Sequence, residues 1–248
     1  MDLSLKQKFE ERWAKYFPNA ALPIGAFYTD KEPVDLLADS EVVDRCLIGN
    51  LARVQDGHAF VYDRKTPGCP GGKRYTGFVQ KLRPEFPFFL SCGIPDQLEG
   101  ERYKQSPELV ERFMQEQPPF EAPGRYLVWK RWDHLTAEDE PMLVIFLAPA
   151  DVIAGLFTLA NFDWASPHGV IAPMGSGCAT ILQYPLMETA QERPRCVLGL
   201  FDVSARPSVD PNVLSFTIPM ARFETMIDQM DESFLTTSSW RKLSARLP

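Results

Sequence analysis

Proline is the residue that most limits what this chain can build. There are 22 prolines against 15 glycines. Each proline fixes φ and lacks an N–H, so it starts, stops or edges a regular element. Short elements joined by stiff connections are therefore expected. Pro18 ends an amphipathic helix over 2–16, in which Phe9, Trp13 and Tyr16 fall near helical spacing. Ala20–Tyr28 reads as a short strand, with Pro23 placing its start at a sheet edge. Ser106-Pro107-Glu108 is a helix start, with serine as N-cap, proline at the first position and an acid in the first turn. That helix runs to about Gln117 and stops at Pro118-Pro119. Pro149 and Pro219 open two further helices, the second spanning Met220–Phe234.

Between these marks lie apolar and β-branched runs that read as strands. They are His58–Tyr62, Phe86–Cys92, Arg125–Trp132, Met142–Leu147, Val170–Ala172, Arg195–Phe201 and Leu214–Ile218. A helix is expected over Asp44–Val54 and another from Gly177 to about Leu186, interrupted by Pro185. Residues 63–77 show no periodicity and read as a loop. Several strands follow one another without a helix between them, which argues against a doubly wound sheet. The expected fold is α+β: one compact domain over 1–248 with a mixed, partly antiparallel sheet and flanking helices.

With 45% hydrophobic and 12% aromatic residues the chain is not of disordered composition. Its formal charge of −7 disfavours non-specific nucleic-acid binding, which needs a basic surface. No run approaches 18 apolar residues, and the first eight residues carry Asp2, Lys6 and Lys8 with no apolar stretch, so neither a membrane span nor a secretory signal is expected. The five cysteines, at 46, 69, 92, 178 and 196, are odd in number and scattered. This points to a cytoplasmic protein with reduced thiols.

The region Arg64–Pro84 reverses the overall sign of charge. It holds six basic residues (Arg64, Lys65, Lys73, Arg74, Lys81, Arg83) and no acid. Within it, Cys69-Pro70-Gly71-Gly72-Lys73-Arg74 offers backbone N–H groups and two cations to an anion. The same field favours a Cys69 thiolate. The P-loop pattern fails: Gly68 stands one residue too close to Gly72-Lys73, and Arg74 occupies the Ser/Thr position. A second glycine-rich turn, Gly175-Ser176-Gly177-Cys178, leads into a helix. It lacks the glycines of a dinucleotide fingerprint or a nucleophile elbow. Both turns are expected at one end of the same sheet, where α/β-type sites collect.

No two cysteines lie within four residues, so a local zinc motif is absent. Cys46, Cys69, Cys92 and Cys178 all neighbour predicted element ends and form a candidate dispersed set for an iron–sulfur cluster or zinc. Cys196 sits in an apolar run and reads as core. His168, ten residues before Cys178, is a candidate partner for a nucleophilic thiol. Arg206, in Asp202-Val-Ser-Ala-Arg206, is a further candidate ligand contact, although an ordinary ion pair or turn explains it as well.

Four features together carry a resemblance. They are Cys46 in a helix before a strand, Cys69-Pro70-Gly71-Gly72…Gly77-Phe78, the Gly175-Ser176-Gly177-Cys178-Ala179 turn, and the Asp202…Ala205-Arg206 strand end. Over about residues 20–230 the chain resembles the prokaryotic DUF169 family, whose function is unassigned. The resemblance implies a cytoplasmic bacterial or archaeal α+β protein and supplies no reaction. It strengthens Cys46, Cys69 and Cys178 as site residues. Three functions stay open: binding a small anionic ligand through the loops around Cys69 and Cys178, holding a metal or cluster, and a non-enzymatic assembly or regulatory role.

Overall fold

A computed structural model describes residues 1–37, 40–117 and 119–247, with the side chain of Leu37 also left undescribed. Seven strands among these residues form one mixed sheet. In chain order they are β1 (Ile24–Thr29), β2 (Phe60–Asp63), β3 (Tyr126–Arg131), β4 (Leu143–Pro149), β5 (Val170–Ile171), β6 (Cys196–Gly199) and β7 (Val213–Pro219). Their spatial order is β2-β3-β1-β4-β7-β6-β5. Only β5 and β6 pair in parallel; the other neighbours are antiparallel. The α+β expectation therefore holds.

The central strand β4 shows how the sheet makes two cores. Alternate side chains point to opposite faces. Val144, Phe146 and Ala148 join one cluster; Leu143, Ile145 and Leu147 join the other. The first face is covered by α1 (Leu3–Tyr16), α7 (Ala150–Leu159), α9 (Met220–Gln229) and α10 (Ser238–Ser244). An aromatic cluster of Phe9, Trp13, Phe17, Trp132, Phe146, Phe223 and Trp240 fills it, with Trp13 stacked on Phe17 at 4.2 Å. The second face lies under α3 (Leu47–Gln55), α4 (Pro70–Tyr75) and a wide π turn, Ala179–Gln183, that continues as α8 (Tyr184–Glu188). Functional interest attaches to this second face. Both faces are sealed by residues whose full burial contributes about 1.5–3 kcal/mol each before entropy is counted.

Several expectations are corrected. Phe86–Cys92 is not a strand: Phe86–Leu90 is a helix, α5. Pro87 sits in its first turn, where a missing N–H costs nothing, and a five-residue apolar run has no period to decide between helix and strand. Residues 63–77 are not all loop, because α4 occupies 70–75. The helix expected from Gly177 does start there, but it widens to a π turn over Ala179–Gln183 and continues as α8, with Pro185 taken into the first turn of α8 rather than interrupting it. The last long helix stops at Gln229, and a 3-10 turn follows at Phe234–Thr236. The short helix α2 (Val34–Leu37) and the terminal α10 were not expected. The helix α6 (Pro107–Glu116) starts as read, with Ser106 Oγ accepting from Leu109 N–H at 3.3 Å. Its expected stop falls partly outside the described residues, at Pro118.

Candidate functional site

The Cys69 loop leaves β2 through a turn held by the Asp63 carboxylate. That carboxylate accepts from the N–H groups of Lys65 and Thr66 at 2.9 and 2.6 Å and from the Thr66 hydroxyl at 2.6 Å. The N–H of Cys69 then bonds to the carbonyl of Arg45 at 2.9 Å, which fastens the loop beside the start of α3. Cys69 is the N-cap of α4, and its Sγ accepts the Gly72 N–H at 3.2 Å. Cys46 occupies the equivalent N-cap position of α3.

The two cations expected to serve an anion are bound to backbone carbonyls instead. Lys73 Nζ donates to the carbonyls of Asp63 and Arg64 at 2.7 and 2.9 Å and lies 4.5 Å above the Tyr62 ring. Arg74 Nη1 donates to the Gln80 carbonyl at 2.7 Å. Both side chains close the segment onto itself, and burial lowers the Lys73 pKa. Lys73 still lines the cavity described below, whereas Arg74 is not in its wall.

In the second turn, Gly177 N–H donates to Asp202 Oδ2 at 3.1 Å, and Ser176 Oγ accepts from Ala179 N–H at 3.2 Å. The other Asp202 oxygen accepts from Ser204 N–H, from the Ser204 hydroxyl and from the Tyr103 hydroxyl, at 3.1, 2.8 and 3.2 Å. Asp202 is thus a buried node joining three segments of chain. Position 177 needs glycine for space: a Cβ there would lie 3.0 Å from Leu200 and 3.2 Å from Ile48. Arg206 turns away from this region and donates to the carbonyl of Pro211 at 2.6 Å, so its role is to close a turn.

Both turns open onto one cavity of about 560 Å³. Its walls include Cys46, Cys69, Gly71, Gly72, Gly175, Ser176, Gly177 and Cys178. The opposite wall comes from the segment 79–117, which lies outside the sheet and contributes Leu82, Phe86, Phe89, Leu90, Tyr103 and Phe113. Sequence reasoning missed this wall, because Phe86–Cys92 read as a strand. The convergence of the turns also has a different cause from the one expected. The strands preceding them, β2 and β5, run in opposite senses across the sheet. The turns therefore meet over the second face, with Ile48 of α3 between them, and not at a shared strand end.

Three cysteines share this wall, and their environments differ. Donation from the Cys46 thiol toward Cys69 is the first cause of the pKa shift of each. That donation, with the Gly72 and Leu47 N–H groups, outweighs burial and brings the Cys69 pKa down to about 6. Cys46, as the donor, is held protonated well above its ordinary value, with burial acting in the same direction. Cys178 is pushed up by burial first, then by the negative charges of Cys69 and Asp202. Beside them the Tyr62 hydroxyl is buried without a hydrogen-bond partner. Burial raises its pKa.

The remaining candidates lie elsewhere. Cys92 is exposed and lines a separate hollow with Ile94–Gly100. His168 is exposed and outside the cavity wall. Cys196 is fully buried on the first face, its thiol 3.9 Å from the Met226 sulfur and its pKa raised by burial to about 12. Among the described residues, no group of three or more His, Cys, Asp or Glu side chains is arranged to hold a metal ion. Nor, among them, is any helix long and apolar enough to cross a membrane.

The family profile of DUF169, described as an uncharacterised ArCR family, matches residues 18–229, and the chain belongs to that family. No curated protein and no solved structure matches it.

Proposed function

We propose that this DUF169 chain binds a small molecule with an apolar body and an anionic group in the cavity between its two glycine-rich turns. The observation that carries this reading is the charge pattern on an otherwise apolar wall. Lys81, Arg83 and Lys104 line the cavity, and among the described residues none of them is in an ion pair. Arg83 lies over the Phe89 ring at 4.2 Å and Lys104 over Phe113 at 4.4 Å, so each cation rests on an aromatic surface of the wall. The facing acids are Glu101 and Asp202, and both Asp202 oxygens are already engaged. A cavity of this size with apolar walls and few polar groups suits one small ligand.

The test is titration with anilinonaphthalene sulfonate, an apolar anion, and displacement by a panel of aliphatic and aromatic carboxylates and phosphate esters. A charge-assisted hydrogen bond contributes about 1.5–3 kcal/mol, so Arg83→Ala or Lys104→Ala should each weaken anion binding roughly tenfold or more. Gly71→Phe supplies the site control. Gly71 lies on the cavity wall, and a Cβ there meets nothing nearer than Tyr75 at 4.0 Å. Filling this position should abolish binding in a folded protein. Equal affinity for the uncharged amides of the same carboxylates, measured alongside them, or unchanged binding in Gly71→Phe, would overturn the reading.

A further inference from the structure

We infer that Cys46 and Cys69 form a reversible dithiol–disulfide pair, oxidised by small disulfides that enter the cavity. The inference shares that cavity with the proposed ligand but does not depend on an anion binding there. It begins with the backbone. Cys46 and Cys69 are far apart in sequence, yet the Cys69 N–H bonds to the carbonyl of Arg45, the residue before Cys46. The two residues begin the adjacent helices α3 and α4. Both side chains line the cavity and are half-buried, so a reagent in the cavity reaches them. A disulfide needs Cα atoms about 4.4–6.8 Å apart, and the Arg45–Cys69 backbone bond sets the two residues side by side at that kind of spacing.

The other cysteines do not meet these conditions. Cys92 stands alone on an exposed turn, and Cys196 is sealed behind the sheet. Cys178 shares the wall but is fully buried, and its thiol is held neutral, which makes it a poor attacker. Cys69 is the attacking sulfur, because its Sγ accepts from the Cys46 thiol and the Gly72 N–H, both of which stabilise the thiolate.

The chemistry balances in two exchanges. The Cys69 thiolate attacks one sulfur of a small disulfide RSSR; a Cys69–SR bond forms and one RS⁻ leaves. Cys46 then loses its proton to the departing thiolate or to water and attacks the Cys69 sulfur. The Cys46–Cys69 bond forms and the second RS⁻ leaves, to be protonated. Two electrons pass from the protein dithiol to RSSR, which is reduced to two RSH.

The experiment uses the full chain, reduced, desalted and exposed to glutathione disulfide, then quenched with acid and N-ethylmaleimide. The expected product has lost two hydrogens and yields one cross-linked peptide joining Cys46 and Cys69. In Cys46→Ser the reaction should stall as a glutathione adduct on Cys69; Cys46→Ala repeats the test should serine disturb the α3 start. In Cys69→Ser neither product should form. The lowered pKa gives the Cys69 thiolate roughly a tenfold rate advantage over free cysteine at pH 6, falling to about twofold at pH 7. Three results would overturn the inference: a Cys69–Cys178 peptide, separate alkylation of Cys46 and Cys69 after oxidant treatment, or a stable adduct on wild-type Cys69.

Discussion

Replacing Gly68 with alanine tests whether the Cys69 loop is seated as described. An alanine Cβ at 68 would stand 2.3 Å from the Tyr62 hydroxyl oxygen, with the ring Cζ and Cε2 at 3.2 and 3.3 Å. No Cβ tolerates the first contact, so something has to move. The Tyr62 ring has little freedom: it is 1% exposed, sits between Phe60 and Phe78 with both centroids at 6.0 Å, and carries Lys73 over its face. Overpacking of this kind costs about 1–3 kcal/mol. For a chain of this length that corresponds to a fall in Tm of about 2–12 °C. The partner variant Tyr62→Phe removes an oxygen that is buried without a hydrogen-bond partner, and its own cost should be near zero or negative. In the Tyr62→Phe background the nearest atom to an alanine Cβ becomes Cζ at 3.2 Å, a contact relieved by a shift of a few tenths of an ångström. The alanine should then cost under about 1 kcal/mol, leaving a coupling of about 1–2 kcal/mol between the two sites. Urea unfolding of the four proteins, with m held constant, measures it. Strict additivity, or a Gly68→Ala protein as stable as the parent, would refute the placement of the loop against Tyr62.

Three further outcomes follow from the site. Iodoacetamide labelling of Cys69 should rise with pH around a midpoint near 6, since the thiolate forms there, and in Cys46→Ala that midpoint should move up towards 9 as the donor is lost; labelling rates followed by peptide mass spectrometry from pH 4.5 to 9.5 check this. Lys73→Met should lower stability by about 1–3 kcal/mol, because the carbonyls of Asp63 and Arg64 each lose a donor, and calorimetry reads the fall directly. Asp202→Ala should destabilise by about 2 kcal/mol or more and loosen the 79–117 segment, because Gly177, Ser204 and Tyr103 all donate to that carboxylate; hydrogen exchange should show faster exchange over 79–117 than over β4, and a uniform change would count against the node.

What could be read from the sequence was whatever short-range chemistry decides. Ser106, Pro107 and Glu108 carry a helix start in three residues, and the helix begins there. Pro149 and Pro219 likewise precede α7 and α9, and Cys196 in its apolar run is core. The site depends on contacts that no local pattern encodes. Lys73 looks like a solvated cation until Asp63 and Arg64, about ten residues earlier, present their carbonyls to it. Cys69 is outside the usual N-cap residues, so α4 was hidden in a loop, although Pro70 at the first position was a visible hint. Cys46 and Cys92 look alike in sequence, each beside an element end. They part in the fold because the Arg45 carbonyl receives the Cys69 N–H, whereas Cys92 enters a tight turn of its own, with Gly93 at φ +75 and Ile94 bridged to Leu98. The two glycine-rich turns show the same division. Their glycines mark where backbone must pass close to other groups, and this was legible. That they face each other was expected from a shared sheet end, yet β2 and β5 run in opposite senses. The meeting depends on α3, whose Ile48 would lie 3.2 Å from a Cβ at Gly177 and whose first residue, Leu47, would lie 3.6 Å from one at Gly72. One short helix therefore sets the separation of the two turns, and a substitution that shifts α3 should disturb both halves of the cavity together.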